Sequence, residues 1–103
     1  MNVLAIGAHY DDIELGAAGT IAKHIKNGDN VTFVVVTESS YHDHDGTVRR
    51  TKHQAREEGL HAARILGVQD VLCLGIETKK VKYGVDLIEM LNTLVEDLNI
   101  DTI

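Results

Sequence analysis

One imidazole and three carboxylates, His9, Asp11, Asp12 and Glu14, crowd together near the start of a 103-residue chain. A neutral imidazole nitrogen and a carboxylate oxygen are ordinary zinc ligands, and a catalytic zinc wants three protein ligands and an open position for water. Two ligands can come from this loop, which leaves one to be supplied from elsewhere. Paired carboxylates also allow a division of labour. Where one ligates the metal, its neighbour can take a proton from metal-bound water, whose pKa zinc lowers from 15.7 to about 7. The same residues suit a plainer task. Aspartate is a good helix N-cap, and acid in a first turn complements the helix dipole. Chemistry alone leaves metal binding and capping both open.

The elements that must position these groups follow from periodicity. Val3, Leu4, Ala5 and Ile6 form a short apolar run ended by Gly7, as in a strand covered on both faces. Across residues 13–26, Leu15, Ala18, Ile21, Ala22 and Ile25 recur at helical spacing, and Asn27-Gly28 supplies the stop. Residues 31–37 are rich in β-branched side chains and give the strongest strand signal. Residues 38–48 are polar and read as a loop. A second helix is expected over 50–66, with Gly67 as its stop. A third buried strand is expected over 71–74, ended by Gly75, and a third amphipathic helix over 85–98. Residues 100–103 read as the opening of a fourth strand.

The order βαβαβαβ predicts an α/β fold: a three-layer, Rossmann-like parallel sheet with helices on both faces and right-handed crossovers. Ligands of such sheets bind beyond the carboxyl ends of the strands. The His9–Glu14 segment lies at that end of the first strand. The chain stops inside a strand signal, so the sheet is expected to be truncated after the start of its fourth strand. It is then either a fragment of something longer or closed by another chain.

A net charge of −6 disfavours nucleic acid and anionic membranes as partners, because the long-range field repels phosphate. The single cysteine, Cys73, rules out an intrachain disulfide and reads as a buried, inert thiol. No signal-peptide pattern opens the chain and no apolar run approaches a membrane span, so a cytoplasmic location is expected.

Ala8-His9-Tyr10-Asp11-Asp12-Ile13-Glu14-Leu15-Gly16, followed by Gly19-Thr20, closely resembles the A-H-P-D-D-x-E-x-G…G-T signature of the PIG-L/LmbE-like deacetylase family. The likeness continues through Val34-Val35-Val36-Thr37 and through Glu58-Gly59, Ala62-Ala63 and Ile65-Leu66-Gly67-Val68. It implies that residues 1–103 are the N-terminal part of a single deacetylase domain. By this resemblance His9 and Asp12 are zinc ligands, Asp11 is the general base and Glu14 has a supporting role. Arg50 is the candidate for gripping substrate. The implied reaction removes an N-acetyl group from an amino sugar, glycoconjugate or similar small amide, with Zn2+ as cofactor. On ligand type alone, iron or cobalt would serve equally. A homo-oligomer is compatible with the resemblance.

Two departures stand out. Tyr10 replaces the usual proline, which is expected to loosen the turn and place a phenol near the pocket. The family's third ligand, a histidine of an H-x-x-H type motif after the fourth strand, has no counterpart before Ile103. The isolated chain is therefore expected to show weak or no activity. A noncatalytic module that folds with partner chains is the rival reading. A receiver-like signalling domain is poorly supported, because Leu74-Gly75-Ile76 stands where a phosphoacceptor aspartate should end the third strand. His42-Asp43-His44-Asp45 is expected to be a solvated loop. His24, His53 and His61 fall within helical patterns and are read as having no site role.

Overall fold

A computed structural model describes residues 1–103. Three strands, β1 (Asn2–Gly7), β2 (Asn30–Thr37) and β5 (Asp70–Ile76), form a parallel sheet in the order β1-β2-β5. Helix α1 (Asp12–Lys26) connects β1 to β2, and α2 (Lys52–Leu66) leads into β5. Helix α3 (Val85–Asp97) follows β5. The α/β class with a parallel sheet is therefore as the alternating pattern predicts.

The β1–β2 register pairs Val3 with Val31 and Ala5 with Phe33, so alternate side chains of both strands share a face. On that face Val3, Val31 and Phe33 pack with Ile13 and Ile21 of α1 and with Ala63 of α2. Burying a side chain of this size stabilises the fold by about 1.5–3 kcal/mol, which is why α1 and α2 are held firmly. On the opposite face Leu4 and Val34 are buried, and Met90 and Leu94 of α3 share a groove with Leu74 of β5. Helix α3 buries no residue fully.

Beyond β1, on the edge that β2 leaves free, Val3 bridges to Thr102 in parallel and the Leu4 amide donates to the Thr102 carbonyl at 3.0 Å. The expected fourth strand is thus a single bridge. Its placement gives the order β5-β2-β1 and then Thr102, so the direction of winding reverses at β1. In open α/β sheets this switch point is where the ligand crevice forms.

Three expectations need correction. Residues 38–48 are not simply a loop: β3 (Tyr41–His42) and β4 (Val48–Arg50) form a small antiparallel hairpin. Its tip is closed by a bond from the Asp43 amide to the Thr47 carbonyl and by Gly46 at φ 88°. Helix α2 begins at Lys52, because Thr51 and Gln54 form a capping box and Arg50 already belongs to β4. Strand β5 does not stop at Gly75. The register shifts there, Gly75 takes φ 74°, and pairing resumes at Thr37–Ile76. As an edge strand, β5 also leaves Leu72 partly exposed rather than buried.

Candidate metal centre

The loop between β1 and α1 is built from beneath. Gly7 lets the chain fold back on itself: a β-carbon there would lie 3.0 Å from Ile13 Cγ1 and 3.2 Å from Asp12 Cβ. The end of β2 then fixes the loop. Thr37 donates to the Ala8 carbonyl through both its amide, at 3.0 Å, and its hydroxyl, at 2.8 Å. The Tyr10 amide donates to Ser39 Oγ at 3.0 Å, and the Ser39 amide donates to Thr37 Oγ1 at 3.2 Å. Ser39 is buried in a left-handed conformation at φ 64°. Such backbone costs of order 1–3 kcal/mol and persists only where surroundings hold it, as these bonds do.

On this support His9 and Asp12 come together. Asp12 Oδ2 accepts the His9 amide at 2.9 Å and lies 3.5 Å from His9 Nδ1. The second distance is long for a hydrogen bond. It suits two donors of one tetrahedral ion, since ligands about 2.0–2.2 Å from zinc sit roughly 3.3–3.6 Å apart. Both side chains remain partly open to solvent. The pair supplies two of the three protein ligands a catalytic zinc needs, and no group of three His, Cys, Asp or Glu side chains converges anywhere in the chain.

Asp11 occupies the N-cap position of α1, yet its side chain makes no capping bond. The plain capping role is therefore unused, and the exposed carboxylate is left without a structural partner beside the His9–Asp12 pair. Glu14 follows within the first turn of α1 and is half-buried.

Tyr10 departs from expectation. It does not loosen the loop but anchors it: the ring is buried and packs with Val35 and Ala55. Burial, and then Cys73 beside it, push the phenol above its ordinary pKa, while Arg56 pulls weakly the other way. Cys73 is half-buried and donates to the Thr37 carbonyl at 3.4 Å.

Arg50 ends β4, with Nη2 3.1 Å from Glu58 Oε2 and Nε buried without a partner. It makes no hydrogen bond or ion pair with His9, Asp11 or Asp12. His42 and His44 are exposed on the hairpin, where Asp43 pairs with Arg49 and Asp45 accepts the Thr47 amide. His24 joins Asp29 at 2.7 Å, and Asp29 also holds the N-terminal ammonium at 3.0 Å.

One feature escaped the sequence reading. Tyr10, Glu38, Lys52, His53, Arg56 and Cys73 line a cavity of about 270 Å3 beside the loop. Lys52 and Arg56 sit four apart on α2, a spacing that puts them on one helical face. That signal was present, but only the fold shows that the face meets Tyr10.

The profile of the PIG-L family, described as GlcNAc-PI de-N-acetylase, matches residues 4–103. The chain belongs to the PIG-L family. An uncharacterized deacetylase of Escherichia coli K12, YaiS, is 31% identical over 96 residues, covering 92% of this chain and 49% of that protein. Diacetylchitobiose deacetylase of Thermococcus kodakarensis is 34% identical over 83 residues, covering 79% of this chain and 31% of that protein. In structure, the N,N'-diacetylchitobiose deacetylase of Pyrococcus horikoshii superposes with a TM-score of 0.83 at 26% identity, over 97% of this chain and 38% of that one. This PIG-L chain thus spans about half the length, or less, of the relatives it matches. No helix in it is long and apolar enough to cross a membrane.

Proposed function

We propose that this chain carries the metal-binding half of a zinc-dependent N-deacetylase acting on an acetylated amino sugar or a similar small amide. The observation that carries the reading is the 3.5 Å approach of His9 Nδ1 to Asp12 Oδ2 at the carboxyl end of β1, at the switch point of the sheet. Membership of the PIG-L family and likeness to diacetylchitobiose deacetylases support it.

In this reading His9 and Asp12 hold the ion, which when bound would acidify a water and polarise an amide carbonyl. Asp11 receives the proton of the attacking water and later delivers it to the leaving amine, a task for a carboxylate free of structural bonds. Arg50 contacts the substrate through Nη1, the guanidinium nitrogen that is neither paired with Glu58 nor buried without a partner. The third ligand comes from outside the positions matched here, so the chain alone has weak or no turnover. The substrate is a small molecule rather than a nucleic acid or an anionic membrane, in keeping with a net charge of −6; a homo-oligomer and a cytoplasmic location complete the proposal.

Zinc uptake by the chain, followed by isothermal titration, tests this reading. His9→Ala and Asp12→Ala should each weaken uptake by about a hundredfold or more, beyond the roughly 10–100-fold typical of outer-shell partners. Unchanged uptake in both variants would remove its foundation.

A further inference from the structure

The cavity beside the metal loop differs in character from the chain around it. The protein as a whole is acidic, at −6. Yet Lys52, His53 and Arg56, all on the first turns of α2, line this cavity. None of the three is paired with a carboxylate, although Arg49, Arg50 and Lys80 all are. Glu38 is the one acidic residue of the lining, and the Ser40 hydroxyl donates to its Oε1. Tyr10, 4% exposed, forms another wall. It is also the residue between His9 and Asp11, so one wall of the cavity belongs to the loop that carries the candidate metal ligands.

We infer that this cavity is a subsite for an oxyanion, a carboxylate or phosphate, carried by the substrate. Two permanent cations set against one carboxylate leave the site net positive. An arginine fork and a lysine point charge are the usual pair for gripping planar or tetrahedral oxyanions. Size agrees. About 270 Å3 lies below the roughly 300–1,000 Å3 of pockets that enclose a whole drug-sized ligand, so the space suits one substituent rather than a full glycoconjugate. The inference deepens the proposed deacetylase reading by assigning the substrate a charged group next to its amide. The binding itself does not depend on metal.

Amide chemical shifts of the full chain, followed by NMR during titration with inorganic phosphate and separately with acetate, test the proposal. Saturable shifts at Tyr10, His53 and Arg56 with either anion are expected, and the tighter of the two identifies the source as phosphate or carboxylate. Lys52→Gln with Arg56→Gln should weaken that binding about tenfold or more, whereas Glu38→Gln should strengthen it. His9→Ala should leave it unchanged, so failure of the zinc reading is separable from failure of this one. Absence of saturable shifts with both anions overturns the subsite. So does equal binding by the doubly substituted chain, whose fold is checked by the unshifted amides of β1 and β2.

Discussion

Tyr10 and Gly59 are fitted closely together: a β-carbon placed on Gly59 of α2 would clash with Cδ1 and Cγ of the Tyr10 ring. Gly59 is buried in the middle of a helix. There glycine costs roughly 0.5–1 kcal/mol relative to alanine on propensity alone. Its presence makes sense only if the space it leaves is needed. The two residues thus join α2 to the loop that carries His9 and Asp12.

Gly59→Ala therefore sets two effects of opposite sign against each other. Helix propensity predicts a gain, while overpacking against a buried ring costs typically 1–3 kcal/mol. Because the clash is with ring atoms close to the backbone rather than a flexible tip, overpacking should win. We expect a net loss of about 1–2 kcal/mol in urea denaturation, together with weaker zinc uptake. A stabilised variant would show that the ring moves aside freely. Gly59→Ala combined with Tyr10→Ala should recover part of the helix gain.

Asp11→Asn separates chemistry from structure. The Asp11 side chain makes no capping bond, and asparagine is an equally good residue at a helix N-cap, so stability should change by less than about 0.5 kcal/mol. Zinc uptake should stay within a fewfold of the parent. Where a third ligand completes the site, acetate release from an N-acetylated amino sugar should fall by about 10²–10⁴, the range associated with a general base. A large drop in zinc uptake instead would reassign Asp11 as a ligand.

Acid should weaken the fold through carboxylates whose partners hold their pKa values down. Asp29 is lowered first by its bond to His24 and then by the N-terminal ammonium, Glu77 by Lys80, and Asp45 by the Thr47 amide. For each, the unfolded chain binds more protons than the folded one between the two pKa values. Their stabilisation is fully present above the ordinary carboxylate value, near 3.8 for Asp29, and is lost as pH falls through the lowered folded value. Glu77 and Asp45 are exposed, so their effects are small, and the more covered Asp29 carboxylate contributes most. Denaturation midpoints from pH 6 to pH 2 should fall with acid, and Asp29→Asn should flatten that fall. An unchanged slope in the variant would show that Asp29 is not among its causes.

What could be read in advance was local. His9 and Asp12, three apart at a strand–helix junction, must lie close whatever the rest of the fold does, and the alternating pattern sufficed for the parallel sheet. Contacts between distant segments were not legible. Ser39 reaches the Tyr10 amide across 29 residues, and Gly59 reads in one dimension as a flaw in a helix rather than as room for a ring. The hairpin of β3 and β4 is not legible because strands of two and three residues, largely polar, carry too little period-two signal to compete with turn formers. The role of Tyr10 is likewise not legible in one dimension: the absence of proline signals a looser backbone, whereas the buried ring supplies the anchoring.

Thr37→Val tests whether the floor of the loop matters to the ion above it. Valine keeps the shape, the β-branching and the backbone bond from residue 37 to the Ala8 carbonyl. It removes the hydroxyl bond to that carbonyl, and it leaves the buried Ser39 amide without its acceptor. An orphaned buried amide costs about 1–3 kcal/mol, whereas the lost bond to a carbonyl that keeps another donor adds less. We expect a stability loss of about 1–3 kcal/mol by urea denaturation. Ser39 should then be freed from its left-handed conformation, the Tyr10 amide should lose its partner, and zinc affinity should drop about tenfold or more although no ligand has changed. Full zinc affinity in a destabilised Thr37→Val chain would show that His9 and Asp12 are positioned by the β1–α1 turn alone.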